Sequence, residues 1–481
     1  MTITGTIELA GLDGGHHTLT SEQLEDLDSR VQGRLLVAGD QGWNEAVAIW
    51  NGIAARLPAL VLQPTSAHDV AAAVGFARDH GLLLSVKGGG HNIAGTAIAQ
   101  GGLTLDLSRL REVAVDPQAK LAHVGSGCLL AEVDQATQAH GLATVLGFVS
   151  ETGVAGLTLG GGFGYLARRF GWTVDNLAEV QVVCADGAIR TANRDQHPEL
   201  FWALRGGGGN FGVVTRFSFR LHQVGPTITG GLIIWSADRA ADVLATYRDL
   251  TESAPRELTA AAIVRLAPPA PFLPQAWHGK PIAGIQICHS GANADADLAP
   301  VRALGNPIVD LVGPKPYAAM QSMLNAMEPK WLHRYWKAEF LPGLSSGFLD
   351  AFRSSALRVT SPLSQSIIFH LAGALNDHKD DDGAVGNRDA HYIGGFNATW
   401  PPGAWPPGAP FDPHVAWARD GWERIRPFST GGNYVNFQLA EDDTGRTAAA
   451  HGNNYQRLQR AKASYDPDNL FRVNRNIPPA A

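Results

Sequence analysis

Glycine is concentrated at three places in this 481-residue chain: "KGGGHNIAG" at 87–95, "TGVAGLTLGGGFG" at 152–164 and "RGGGGNFGVVT" at 205–215. Glycine gives up more conformational freedom on folding than any other residue, so such runs belong where backbone turns tightly or touches something closely. Each run falls between strand-like or helical stretches, where exposed backbone N–H groups can converge on phosphate oxygens. A dinucleotide pyrophosphate fits such a lining. The 55 glycines show no collagen-like or low-complexity period, so the clusters themselves carry the information.

A chain of this length exceeds what one core usually serves, and two domains are expected. Residues 1–35 read as a polar N-terminal extension. From "ALVLQPTSAHDVAAAVGFARDHGLLLSVKGGGH" onward, strand, helix capped by Ser66 and buried strand alternate as in an α+β domain over 36–225. Beyond 226 the glycine clusters cease. Strand-like "GGLIIWSA", "PIAGIQICHSG", "SIIFHLAGAL" and "YIGGFNATW" then alternate with helical stretches, as in a second domain (226–438) with an antiparallel sheet covered by helices.

A formal net charge of −7 gives no basic footprint for nucleic acid or an anionic membrane. Cys128, Cys184 and Cys288 lie far apart without CxxC spacing, which argues against a disulfide framework or a metal site. The start lacks the basic and apolar regions of a signal peptide, and no segment is long and apolar enough to span a bilayer; a cytoplasmic protein is expected.

The rival reading is a Rossmann nicotinamide domain, because Gly207, Gly209 and Gly212 satisfy G-x-G-x-x-G, and Gly162, Gly164 and Ala167 its alanine variant. That fingerprint needs strand, glycine turn and helix. "VVTRFSFRL" after Gly212 alternates like a strand, and the glycine-interrupted stretch before Gly162 makes a poor central strand. No P-loop signature occurs.

"SVKGGGHNIAG", "TGVAGLTLGGGFGYLARRFGWTVDNL", "RGGGGNFGVVT", "GNYVNF" and "YDPDNLFRVNRNIP", in this order, resemble the motifs of the berberine bridge enzyme-like flavoproteins. These belong to the vanillyl-alcohol oxidase superfamily, and the likeness is closest to bacterial members and covers the chain from about Asp40 onward. The resemblance implies a PCMH-type FAD-binding domain of two α+β subdomains, and a final segment (439–481) that returns to it. It also implies a covalent bond from His91 to the 8α-methyl carbon of FAD. Cofactor contacts are carried over to Lys87, Gly88, Gly89, Gly90 and Asn92 in the first run. In the second they fall on Thr152, Gly153, Gly156, Gly160, Gly161, Gly162 and Gly164, in the third on Asn210, Gly212 and Val214, and in the tail on Asn474 and Asn476. Some relatives attach the flavin a second time through a cysteine, where this chain has Val149, so a single link is expected.

Thr152 matches a position beside flavin C4a linked to dioxygen access; it either favours an oxidase or only shapes the turn. Tyr434 matches the tyrosine that serves as base or proton relay in relatives. Its reference pKa of about 10 requires a site that favours phenolate or couples proton loss to hydride transfer. Lys337 and Tyr392 are further catalytic candidates. Arg388 is a candidate cation or a structural ion pair, and Glu339 can neutralise Lys337. His391 and Tyr392 must point to opposite faces of a strand. Tyr335, Trp336 and Phe340 offer aromatic surface for stacking, or core. The activity implied is oxidation of an alcohol or amine carbon of a small molecule, such as a sugar or alkaloid, with dioxygen as acceptor. A flavin dehydrogenase with another acceptor and a non-catalytic flavin-binding protein are the alternatives.

Overall fold

The computed structural model describes residues 5–379, 382–403 and 412–480. Two sheets build the glycine-bearing part. The first has the neighbour order Arg34–Leu36, Leu60–Gln63, Leu103–Asp106, Leu84–Lys87, antiparallel at its first pair and parallel thereafter. Its parallel strands are buried runs, as sheets covered on both faces require. The helix Ala67–Asp79 starts at Ser66, whose side chain accepts from Asp69 N–H, and it buries Val70, Val74 and Ala77.

The second sheet is antiparallel, in the order Ile189–Asn193, Leu177–Val183, Val213–Arg220, Leu121–Gly125, Val113–Asp116. "VVTRFSFR" after the third glycine run is therefore a strand, not the helix of a nucleotide-binding βαβ unit.

Residues 7–30 do more than extend the chain. The hairpin of Ile7–Ala10 and His16–Leu19 and the helix Ser21–Arg30 place Leu9, Leu19, Leu24 and Leu27 in the core of the first sheet. The signal for this is narrow, two leucines on an otherwise acidic helix.

The substrate-side sheet has seven strands in sequence of neighbours. They are Val309–Asp310, Thr227–Ser236, Pro281–His289, Leu258–Leu266, Gln365–His370, Tyr392–Trp400 and His333–Leu341; Gly313–Pro316 also pairs with Thr227–Ser236. One face buries Ile285, Ile368 and Phe396 against the helices Ala240–Ser253, Ser346–Ala356 and Pro413–Ile425. The other turns toward the glycine runs, with Phe340 and Ile393 sharing a core with Phe163 and Tyr434. After the helix Tyr455–Tyr465 the tail returns, and Leu470 and Phe471 join the core of the first sheet. Among the described residues no helix is long and apolar enough to cross a membrane.

Candidate functional site

The three glycine runs, the tail and the inner face of the substrate-side sheet converge on one cleft of about 310 Å³, within the roughly 300–1,000 Å³ of small-molecule pockets. The strand Leu84–Lys87 delivers the first run into it. A Cβ on Gly89 would stand 2.4 Å from Gly153 N, and one on Gly153 would stand 2.3 Å from Gly89 N. The first two runs thus meet backbone to backbone, which only glycine permits. Gly156 and Gly209, also in the lining, have no atom within 4 Å of where a Cβ would sit. Their bare backbone faces open space that a bound group can fill.

His91 lies in this lining with its ring stacked on Trp50, centroids 4.2 Å apart and planes at 17°. The Arg334 guanidinium lies 3.9 Å from the same indole. Burial, reinforced by the Arg334 charge, pulls the His91 pKa down to about 3, so the imidazole is neutral at physiological pH. Its Nε2 is buried without a hydrogen-bond partner. Asn92 Oδ1 accepts from the N–H groups of Ala94 and Thr96 and fixes the loop that follows. Asn51 donates to the carbonyls of Ile93 and Arg334, tying that loop to the substrate-side sheet.

Tyr434 is buried at the start of the turn Val435–Phe437. Its Oη accepts from Gly162 N–H at 3.0 Å and from the Asn436 amide at 2.9 Å. Burial pushes the phenol up to about 12, while these two donors pull it the other way. A Cβ on Gly160 would stand 2.1 Å from Asn436 Oδ1, so the second glycine run also makes room for the Y-x-N motif.

The remaining expected residues divide. Gly88, Gly90, Asn92, Thr152, Gly160, Asn210, Gly212, Val214 and Asn474 line the cleft. Asn210 holds the tail in place, donating to Arg475 O and accepting from Ile477 N–H. Gly161, Gly162 and Gly164 lie behind the lining. Gly162 acts through Tyr434, and Gly164 is held so near Leu146 O, 1.9 Å from a Cβ position, that no side chain fits. Lys87 and Asn476 are also outside it. Lys87 is buried against Asp106 at 3.3 Å, and burial lowers its pKa.

Two of the three catalytic expectations are corrected. In the strand His333–Leu341, Trp336 lines the cleft, so alternation turns Lys337 to the other face. There its ammonium pairs with Asp442 at 2.8 Å and Glu441 at 2.9 Å. Glu339, expected to neutralise Lys337, instead pairs with Arg446 and accepts from Trp422. Tyr392 likewise points away, its hydroxyl 2.9 Å from Thr251 and its ring beside His370; its neighbour His391 is exposed. Arg388 makes a bidentate pair with buried Asp175, at 2.8 and 3.0 Å, and is structural.

Sequence reasoning missed Trp50 and Asn436 and did not single out Asn397 and Gln365, all of which line the cleft. Trp50 stands in "AIWNG" with no chemical motif around it. Alternation in "YIGGFNATW" would have found Asn397 once one residue of that strand had been assigned a face.

The bare glycine cradle, the unpartnered neutral nitrogen of His91 and the tail closing one wall fit a flavin dinucleotide. Comparison with known proteins agrees. Residues 58–193 match the family description "FAD binding domain", and residues 433–478 match "Berberine and berberine like". The chain is 30% identical to the (R)-6-hydroxynicotine oxidase of Paenarthrobacter nicotinovorans, over 93% of this chain and 97% of that protein. It is also 30% identical to the FAD-linked oxidoreductase pgmH of Aspergillus terreus, over 73% of this chain and 68% of that one. Its fold superposes on crystalline 6-hydroxy-D-nicotine oxidase from Arthrobacter nicotinovorans with a TM-score of 0.83 at 27% identity, covering 94% of this chain and 98% of the other. A xylooligosaccharide oxidase from Myceliophthora thermophila C1 shares the fold at 21% identity and a TM-score of 0.83, covering 95% of this chain and 99% of the other. The chain therefore belongs to the berberine bridge enzyme-like family of FAD-dependent oxidoreductases.

Proposed function

We propose that the protein is an oxidase that holds one FAD by a single covalent bond through His91. It takes a hydride from an alcohol or amine carbon of a small molecule and passes the electrons to dioxygen, giving hydrogen peroxide. The observation that carries this reading is the buried, partnerless Nε2 of His91 beside the open glycine cradle. When bound, FAD supplies the hydride acceptor. A neutral imidazole with a free lone pair is the form that can bond to carbon, and burial beside Arg334 keeps His91 in that form.

Tyr434 receives the proton that leaves the substrate hydroxyl or amine. Gly162 N–H and the Asn436 amide both donate to Oη and stabilise the phenolate that accepts this proton and becomes the phenol. Phe163, Phe437 and Trp172 surround the ring, with centroids 5.1, 4.9 and 5.9 Å away, and exclude water. Val149 lines the cleft where a cysteine would make a second link, which supports single attachment. Thr152, also in the lining, leaves space that a leucine would fill, which supports dioxygen as acceptor.

The test is to precipitate the purified protein with acid and map the flavin-bearing peptide by mass. Flavin retained on the peptide containing His91 supports the covalent reading; all of it free in the supernatant overturns it. Mixing the reduced protein with air-saturated buffer tests the acceptor. Rapid reoxidation with one hydrogen peroxide per flavin is expected, and slow reoxidation would make the protein a dehydrogenase.

A further inference from the structure

Three neighbouring strands of the substrate-side sheet bring one row of side chains to the cleft. Asn397 pairs across the ladder with Trp336 on one side and Gln365 on the other, and all three line the cleft. Asn397 is only 5% exposed, yet among the described residues its side-chain amide makes no hydrogen bond. Trp336 Nε1 is buried and equally without a partner. Gln365 accepts from Arg265 at 3.4 Å through its oxygen, which leaves its NH2 to donate. Buried polar groups are ordinarily satisfied; here Trp336 Nε1 is sealed from solvent without a partner, while the two amides open onto the cleft. A row of unpaired donors around one amide acceptor is therefore a built receptor.

What surrounds the row limits its ligand. Further along the strand that carries Gln365, the cleft face continues with Ile367 and Phe369, and Phe369 meets Phe148 and Phe163 at 4.9 and 5.5 Å. Trp336 itself stands edge-on to Trp50 and Phe437. No side chain in the row is charged. The carboxylate nearest in sequence that lines the cleft, Glu328, is committed to Arg334 at 3.4 Å.

The geometry points to Trp336, Asn397 and Gln365 as the specificity-determining row of the substrate site. They receive the uncharged donor–acceptor edge of a planar, largely apolar substrate, such as a lactam or hydroxy-heteroaromatic edge. The inference rests on the proposed function, because the row is assigned to the substrate of that same site. A primary amide can donate to and accept from such an edge at once, and the aromatic wall takes the rest of the molecule. A flexible, hydroxyl-covered saccharide would leave most of that wall unmatched.

The experiment uses the protein as purified, its flavin content measured by absorbance, and titrates it calorimetrically with 2-quinolone. This probe carries the lactam edge on a planar bicycle. The comparators are quinoline, with the ring but not the edge, quinoline-2-carboxylate, with a charge, and cellobiose. 2-Quinolone is expected to bind about tenfold tighter than quinoline, the worth of one to two hydrogen bonds, and tighter than the carboxylate and cellobiose. Asn397→Ala is expected to bring 2-quinolone and quinoline within about twofold of each other. The isosteric Asn397→Asp, which only accepts, is expected to prefer 2-aminoquinoline, whose protonated edge presents two donors. Equal binding of 2-quinolone and quinoline by the parent, tighter binding of cellobiose, or a preference unchanged in both variants would overturn the assignment. Protein purified without flavin that still shows the Asn397-dependent preference would sink the flavin reading and leave the row standing. Flavin-bearing protein without that preference would do the reverse.

Discussion

The proposed link through His91 rests on the state of a single ring. Its stack on Trp50 fixes the ring plane, and burial keeps the nitrogen uncharged. His91→Ala is expected to lose the acid-stable flavin while the glycine cradle keeps part of it without a bond, seen as flavin that co-elutes with native protein but is released by acid. Tyr434→Phe is expected to keep the cofactor and slow its reduction by substrate about 100-fold or more, the usual worth of a positioned proton acceptor. Because burial lifts the phenol to about 12, the phenolate fraction grows throughout the neutral to alkaline range. Reduction by the parent should therefore accelerate as pH rises toward 12, and stopped-flow traces of Tyr434→Phe should lose that slope. Parental speed in Tyr434→Phe would place the base elsewhere.

At the scale of elements, strand alternation decides function. In His333–Leu341 a one-residue step separates Trp336, in the cleft, from Lys337, locked between Asp442 and Glu441 on the far side. Lys337→Met removes the nearer of two cations paired with the nearly buried carboxylate of Asp442, leaving Arg446 at 3.6 Å. It is expected to lower unfolding free energy by less than the roughly 3 kcal/mol of a fully unpaired buried charge, read from urea melts, without slowing flavin reduction at temperatures where the variant is folded. A reduction defect with unchanged stability would restore Lys337 to the chemistry. The glycine runs and Tyr434 were legible because the backbone constraint, or the motif, lies within a few consecutive residues. Lys337 and Tyr392 were not, because a strand's period reveals two faces but not which one meets a cleft built from segments more than 100 residues away. Asn397 was hidden for the same reason. Alternation alone did separate His391 from Tyr392 correctly, since that step needs no partner.

The whole molecule carries opposing buried titrations. His222 and His451 are held neutral by burial, with pKa values near 4. Below their ordinary value of about 6.5 the unfolded chain binds protons that the native state refuses, so their contribution to stability falls as pH drops from about 6.5 toward 4. Asp134, buried against Gln321, is raised to about 7. Between about 3.8 and 7 the native state holds a proton that the unfolded chain has released, so this contribution falls as pH rises. Asp134→Asn is expected to steepen the fall of melting temperature between pH 7 and 4.5, with its advantage over the parent widest near pH 7. Melting curves that stay parallel across that range would remove Asp134 from this balance. The broad α+β architecture and the helix-covered antiparallel sheet were readable from periodicity and turn residues. The packing of residues 7–30 was not, since its stripe of Leu24 and Leu27 is too narrow to stand out from an acidic surface.

The tail is fastened by Lys462, whose buried ammonium reaches Asn210 O at 2.8 Å, Asp466 at 2.6 Å and Phe471 O at 2.9 Å. A ribosome releases the glycine runs long before it makes this clasp. A nascent chain that has emerged only as far as residue 225 has His91 in place but neither the Tyr434 wall nor the Asn474 wall. The cleft is thus complete only once the last segment is made, and until then its apolar walls are the kind of exposed surface on which partly folded chains aggregate.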